Sequence, residues 1–270
     1  MPGNIFPDRL GRWLIAALVL ALGTGRPAGW CGPDEELTHR AEHLLSTYVD
    51  ETGLVDYAGW KAHPEDAAWP ELYLHALSKL EINPEDSSKE TLALLLNAYN
   101  VAVLQQILAR YPMATVQTIP KFFTAPCVSM AGKRWSLNEL EEMVRHFEDG
   151  RVHAALCPGA RSSPPLSKSL YRADLLDEQL NRQMAVWLGR LDLNPLWRSN
   201  RVVVISKIFN WYKQDFGTSD EALFKFVAGH SEAFKKGLPS DGGHVEFIEF
   251  DWRLNEQKKE ADSKAPAKTP

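Results

Sequence analysis

The sequence predicts an α+β fold: a predominantly helical shell around a small β-sheet, in a single domain with a buried central helix. Three observations lead there. Residues 89–110, KETLALLLNAYNVAVLQQILAR, are apolar almost all round, as a helix inside a domain must be. Residues 201–205, RVVVI, form a near-continuous β-branched run of the kind found in buried strands. The chain is 44% hydrophobic and 24% charged, a balance that supports a proper core.

The elements follow in order. Arg9 and Arg12 precede the apolar run 13–22 and then Gly23-Thr24-Gly25, which reads as a signal peptide over 1–25. The run falls short of the ~20 residues a spanning helix needs, so the mature chain is expected to have no stable membrane span. Export to a periplasmic or extracellular location is the corresponding expectation. Residues 33–49 place Leu37, Ala41, Leu44 and Leu45 at helical spacing. A turn at 50–53 leads to a short extended piece at 54–57, and 64–80 is mostly helical. Asp86-Ser87-Ser88 caps the long helix, and Tyr111-Pro112 ends it. A small hairpin is expected around Gly132. Ser136-Leu137-Asn138-Glu139 has the capping-box pattern that opens a helix over 137–147.

Arg151–Leu156 alternates, with Arg151, His153 and Ala155 on one side and Val152, Ala154 and Leu156 on the other, the period of a half-buried strand. A helix over most of 166–191 follows, with Leu175, Leu176, Leu180, Met184 and Leu188 as its apolar side. After the strand 201–205, Ser206 caps a helix over 207–216 that Gly217 closes, stacking Lys207, Trp211 and Asp215. A helix at 221–228 and a strand at 245–250 complete the fold. From 256 the polar tail lacks apolar periodicity and is expected to be disordered.

A net charge of −5 with no basic stripe argues against a nucleic-acid partner. No HExxH motif and no Cys/His cluster with ligand spacing occurs, so neither a metal nor another cofactor is expected. Of the three cysteines, Cys31, Cys127 and Cys157, two could pair in an oxidising compartment, with Cys127–Cys157 the favoured pair; three unpaired thiols are the alternative.

The candidate site grows out of the long helix. Asn97 and Asn100 lie three apart on one face and must reach partners, because an unpaired buried amide costs about 1–3 kcal/mol. They either satisfy backbone groups of a neighbouring loop or orient a functional group. Asn97, Asn100, Arg151, His153, Ser206, Lys207, Trp211 and Asp251 are expected to converge on one polar cluster. One reading is an exported binding protein in which Arg151, His153, Lys207, Trp211 and Tyr212 line a pocket for a small polar, anionic or sugar-like ligand. The other is a hydrolase or acyl-transfer enzyme, with Cys157, Ser162 or Ser163 as nucleophile and His153 as base.

An ordered set of motifs resembles the family called domain of unknown function 547. It comprises Gly53-Leu54-Val55-Asp56-Tyr57, Leu96-Asn97-Ala98-Tyr99-Asn100 with Tyr111-Pro112, and Ser136-Leu137 with Leu140-Glu141. Arg151-Val152-His153, Pro164-Pro165-Leu166, the run from Ser206 to Phe216, and Asp251-Trp252-Arg253-Leu254-Asn255 follow, spanning 36–255. The resemblance implies an exported domain of that kind and brings no established reaction. The family's pattern after His153 carries two cysteines that fall at Pro158 and Ser163 here, so any mechanism needing them does not transfer.

Overall fold

The computed structural model describes residues 35–257 except 82, 85, 200 and 238–242. The helical layer begins with α1 (Glu35–Tyr48), α2 (Tyr57–Ala62), α3 (Pro64–Ala67) and α4 (Trp69–Leu77). The central helix α5 spans Lys89–Arg110, with Ser88 Oγ accepting the Thr91 N–H at its start. Seventeen of its residues, Thr91 to Leu104 and then Gln106, Ile107 and Leu108, make two unbroken buried runs, and it packs against α4 and the later helix α6 (Leu137–Arg145). Its composition and length would also allow a membrane crossing, yet here it is the core. Between α5 and α6 lies the hairpin of β1 (Val128–Met130) and β2 (Lys133–Trp135). Its turn residues Ala131 and Gly132 both have φ in the left-handed region, at 53° and 71°, as tight hairpins require. The capping box at Ser136 is complete: Ser136 Oγ accepts the Glu139 N–H and the Glu139 carboxylate accepts the Ser136 N–H.

The predicted strand at Val152–Leu156 is instead a single helical turn, α7 (Val152–Ala155). Asp149 Oδ1 accepts the Arg151 N–H, and the Val152 N–H bonds the Asp149 carbonyl, winding the chain into a turn. Every residue from Val152 to Cys157 is buried, so the alternation in the sequence does not separate an inner from an outer face. The chain then runs through irregular structure to α8 (Leu176–Gly189), and 166–172 is not helical as expected. Leu175 lies in the 3-10 turn before α8 and is exposed, outside that helix's apolar side.

The second layer is a sheet with β4 (Val202–Ile205) in the centre, β3 (Leu196–Ser199) antiparallel on one edge and β5 (His244–Phe247) parallel on the other. The expected helix over 207–216 is broken at Tyr212 (φ −114°, ψ 33°) into α9 (Ile208–Trp211) and α10 (Lys213–Phe216). α11 (Asp220–His230) and α12 (Glu232–Gly237) close the layer.

Two apolar clusters result. The first surrounds α5; the second joins the end of α8 to the sheet and α9–α12, with Trp187 stacked on Phe209 at 4.8 Å. α7 stands at the seam: Val152, Ala155, Leu156 and Cys157 belong to the first cluster, Ala154 to the second. The sheet is therefore beside the helical core, and its strands are β3–β5, without the Val152–Leu156 segment. Cys127 and Cys157 are both free thiols, so the favoured disulfide is not formed. Glu256 and Gln257 are tied to Val55, so the ordered domain runs past 255. The segment 1–25 expected to be a signal peptide, Cys31 and the rest of the predicted tail lie outside the described residues.

Candidate functional site

The two amides on α5 clamp backbone. Asn97 donates through Nδ2 to the Tyr171 carbonyl at 2.9 Å, and its Oδ1 accepts the Tyr171 N–H at 2.8 Å. Asn100 does the same one turn on, donating to the Ala155 carbonyl at 2.8 Å and accepting the Cys157 N–H at 2.9 Å. A side-chain amide pairing with one peptide's donor and another's acceptor replaces the strand partner this irregular loop lacks. Both amides are thereby occupied with structure.

Cys157 is the centre of a buried polar knot. Its thiol accepts from Asn255 Nδ2 at 3.4 Å and contacts the Ser163 hydroxyl and the Gly159 N–H. Asn255 Oδ1 in turn accepts the Tyr57 hydroxyl at 2.7 Å, and Ser163 Oγ accepts the Ala160 N–H at 2.8 Å. Burial pushes the thiol up to about 11, against those hydrogen bonds, so it is neutral at physiological pH. At 3% and 4% exposure, Cys157 and Ser163 are both sealed from reagents.

His153 points to another place. Its Nε2 lies 2.8 Å from Asp215 Oδ2, and its ring stacks on Tyr212 at 4.3 Å and tilts against Phe216 at 5.0 Å. Arg145 donates to both oxygens of Asp215, at 2.6 and 3.1 Å, and lies over the Tyr212 ring. The Tyr212 hydroxyl hydrogen-bonds Glu141, one turn before Arg145 on α6. Burial alone would raise the Asp215 carboxyl, but the hydrogen bonds from His153 and Arg145 hold it well below the usual carboxylate range. Burial raises Glu141, in spite of the Tyr212 hydrogen bond and the nearby His153 and Arg145. No hydrogen bond links His153 to Cys157 or Ser163, so imidazole and candidate nucleophiles stand in separate networks.

The remaining expected members are dispersed as well. Arg151 is held by Asp149, Asp177 and Asn181. Ser206 is 1% exposed and gives its N–H to Asn194 Oδ1, a buried amide that sequence reading passed over. Lys207 pairs with Glu249 at 3.0 Å. Asp251 chelates the Arg253 guanidinium, and its N–H donates to Ser162 Oγ at 2.9 Å. The eight residues expected to form one cluster thus belong to several; past the break at Tyr212, Asp215 meets His153, while Trp211 is exposed.

Around Trp211 the structure assembles what the sequence did not announce. Trp211 is 41% exposed and lies 4.8 Å from Phe250 and 6.1 Å from Trp252, the two indoles 24° from parallel. Phe250 contacts Trp252 at 4.6 Å, and Phe123 continues the row beyond Trp252 at 6.0 Å. All three are only partly covered. The signal was present as Phe250-Asp251-Trp252-Arg253, in which aromatic and charged residues alternate with period two.

Fold and site define a helix-rich α+β protein with a buried amide framework, an ionic seam and an exposed aromatic row. The family described as protein of unknown function, DUF547, matches residues 85–188, which include α5, α6, α7 and most of α8. Searches of curated proteins and of solved structures returned no match.

Proposed function

We propose that the protein is an exported binding protein that holds a sugar-like ligand against the row Phe123–Trp252–Phe250–Trp211. The observation that carries this reading is the pair of near-parallel, partly exposed indoles 6.1 Å apart. An aromatic face binds the apolar C–H face of a pyranose while leaving its hydroxyls to water and to polar neighbours, and the exposed Trp211 is the ring of this row best placed to do so. Lys207 lies one turn before Trp211 and is held by Glu249, the residue before Phe250, so a charged pair is available to ring hydroxyls or an anionic substituent. The acyl-transfer reading has no comparable support: its thiol and hydroxyl are buried, and its imidazole is engaged by Asp215.

Calorimetric titration with neutral and uronic-acid-containing oligosaccharides tests the proposal. Binding should be detected, and Trp211→Ala should weaken it about tenfold, the equivalent of ~1.4 kcal/mol, without changing the melting temperature. Absence of binding across the panel, or undiminished binding by the Trp211→Ala chain, would reject the reading.

A further inference from the structure

The ion pair beside the aromatic row is unevenly matched. The Lys207 ammonium donates to both carboxylate oxygens of Glu249, at 3.0 and 3.2 Å. The lysine side chain is 29% exposed, whereas that of Glu249 is 91% exposed. Lys207 is fixed in place: its backbone is helical, and its carbonyl accepts the Trp211 N–H at 3.1 Å. That turn sets the two side chains on one face, with about 6 Å between their Cβ atoms. Glu249 is not fixed. It lies past the end of β5, and among the described residues its carboxylate has no partner besides Lys207. An exposed carboxylate recovers its hydration on leaving, so such a pair contributes little. The lysine, mostly covered, is left in need of another anion.

We propose that, in the carbohydrate site on which this inference rests, Glu249 stands where a ligand carboxylate binds, and that the ligand is a sugar chain with carboxylates on its rings. A pyranose stacked on Trp211 through its C–H face turns its substituents toward the edge of the indole. A carboxylate there meets the Lys207 ammonium and takes over the two contacts that Glu249 makes. Glu249 swings into water, and Lys207 keeps one counter-charge throughout. Phe250, the next residue, is packed on Trp211 and Trp252 at 4.8 and 4.6 Å, so the exchange needs side-chain rotation alone and leaves the row intact. A neutral ring brings only hydroxyls, which do not displace a carboxylate from an ammonium. Glu249 thus sets the selectivity of the site by competing for its cation.

Calorimetric titration of the full chain compares a trimer of galacturonic acid with its neutral, carboxyl-reduced counterpart. The acidic trimer should bind about fivefold tighter. Glu249→Gln should widen that ratio by a further factor of about two to five, because the competitor is gone. Lys207→Met should bring the ratio to about one, and Lys207→Arg should keep it above one. Each ratio is read within one protein, so a loss of folding that weakens both ligands alike does not move it. Equal binding of the two trimers by the unaltered chain, a ratio that falls in Glu249→Gln, or one that persists in Lys207→Met would overturn the proposal while leaving the carbohydrate reading standing. Binding of neither trimer would reject both.

Discussion

Asn100 shows how one polar side chain can hold two buried backbone groups of this core. It satisfies the Ala155 carbonyl and the Cys157 N–H at once, both far from water. Asn100→Ala strands both groups, and at about 1–3 kcal/mol for each buried unsatisfied group the expected loss is roughly 2–6 kcal/mol. Urea unfolding measures it, and a loss below about 1 kcal/mol would mean that water replaces the amide. Asp215 makes a pH-dependent contribution. Its carboxyl is held low in the folded protein, so the stability it contributes is complete above the ordinary aspartate range, near ~4, and disappears as the pH falls toward the folded-state value. Glu141, raised by burial, has the opposite sign and loses its contribution as pH rises. Asp215→Asn should therefore lower stability at neutral pH by about 2–3 kcal/mol and flatten the acid limb of a stability–pH curve. An unchanged acid limb would show that His153 and Arg145 do not depend on this carboxylate.

At the scale of elements, what could be read in the sequence was whatever local chemistry decides. The bounds of α5 were legible because Ser88 caps it and Tyr111-Pro112 stops it; α6 was legible from Ser136 and Glu139, and the hairpin from Gly132. α7 was not, because a period-two pattern reports a face only where one side meets water, and here both sides are buried. Nor could local signals disclose that His153 meets Asp215, 62 residues away, since that contact depends on how two cores abut. The aromatic row lies between these extremes, with Phe250 and Trp252 two apart in plain view but Trp211 and Phe123 brought in by the fold. One turn shows local and tertiary constraint meeting. Gly53 has φ of 76°, and a Cβ there would come within 2.4 Å of Pro165 Cβ and 2.7 Å of the Leu166 nitrogen. Leu166 also donates its N–H to the Gly53 carbonyl, so neither strand of the contact can retreat freely. Gly53→Ala should cost at least about 2 kcal/mol, combining backbone strain with the clash. A variant with unchanged melting behaviour would show that the Pro164-Pro165 loop yields.

For the molecule as a whole, the question is what joins segments distant in sequence around α5, and the answer is the segment after Trp252. Arg253 and Leu254 pair with Thr115 and Ala160, and Glu256 pairs with Val55. The backbone bonds are Arg161 N–H to the Arg253 carbonyl, Leu254 N–H to Ala114, Asn255 N–H to Gly159, Val55 N–H to Asn255 and Gln257 N–H to Val55, between 2.6 and 3.2 Å. Asn255 adds its side chain to the Tyr57–Cys157 knot. This strap therefore ties the turn after α1, the loop after α5 and the loop after α7 into one layer. The sheet of the second core is complete before it begins, its last link being the Ile248 N–H to the Ile205 carbonyl. A chain ending at Trp252, compared with one ending at Gln257, loses those five backbone bonds and Asn255. At about 1 kcal/mol net for each bond, and 2–4 °C for each kcal/mol in a chain of this size, its melting temperature should fall by at least about 10 °C. Hydrogen exchange locates the damage: amides of α5 and of the loop at 157–163 should lose protection, while those of β4 keep theirs. A fall smaller than about 3 °C, or equal loss of protection in β4 and α5, would show that the strap does not specifically support the first core.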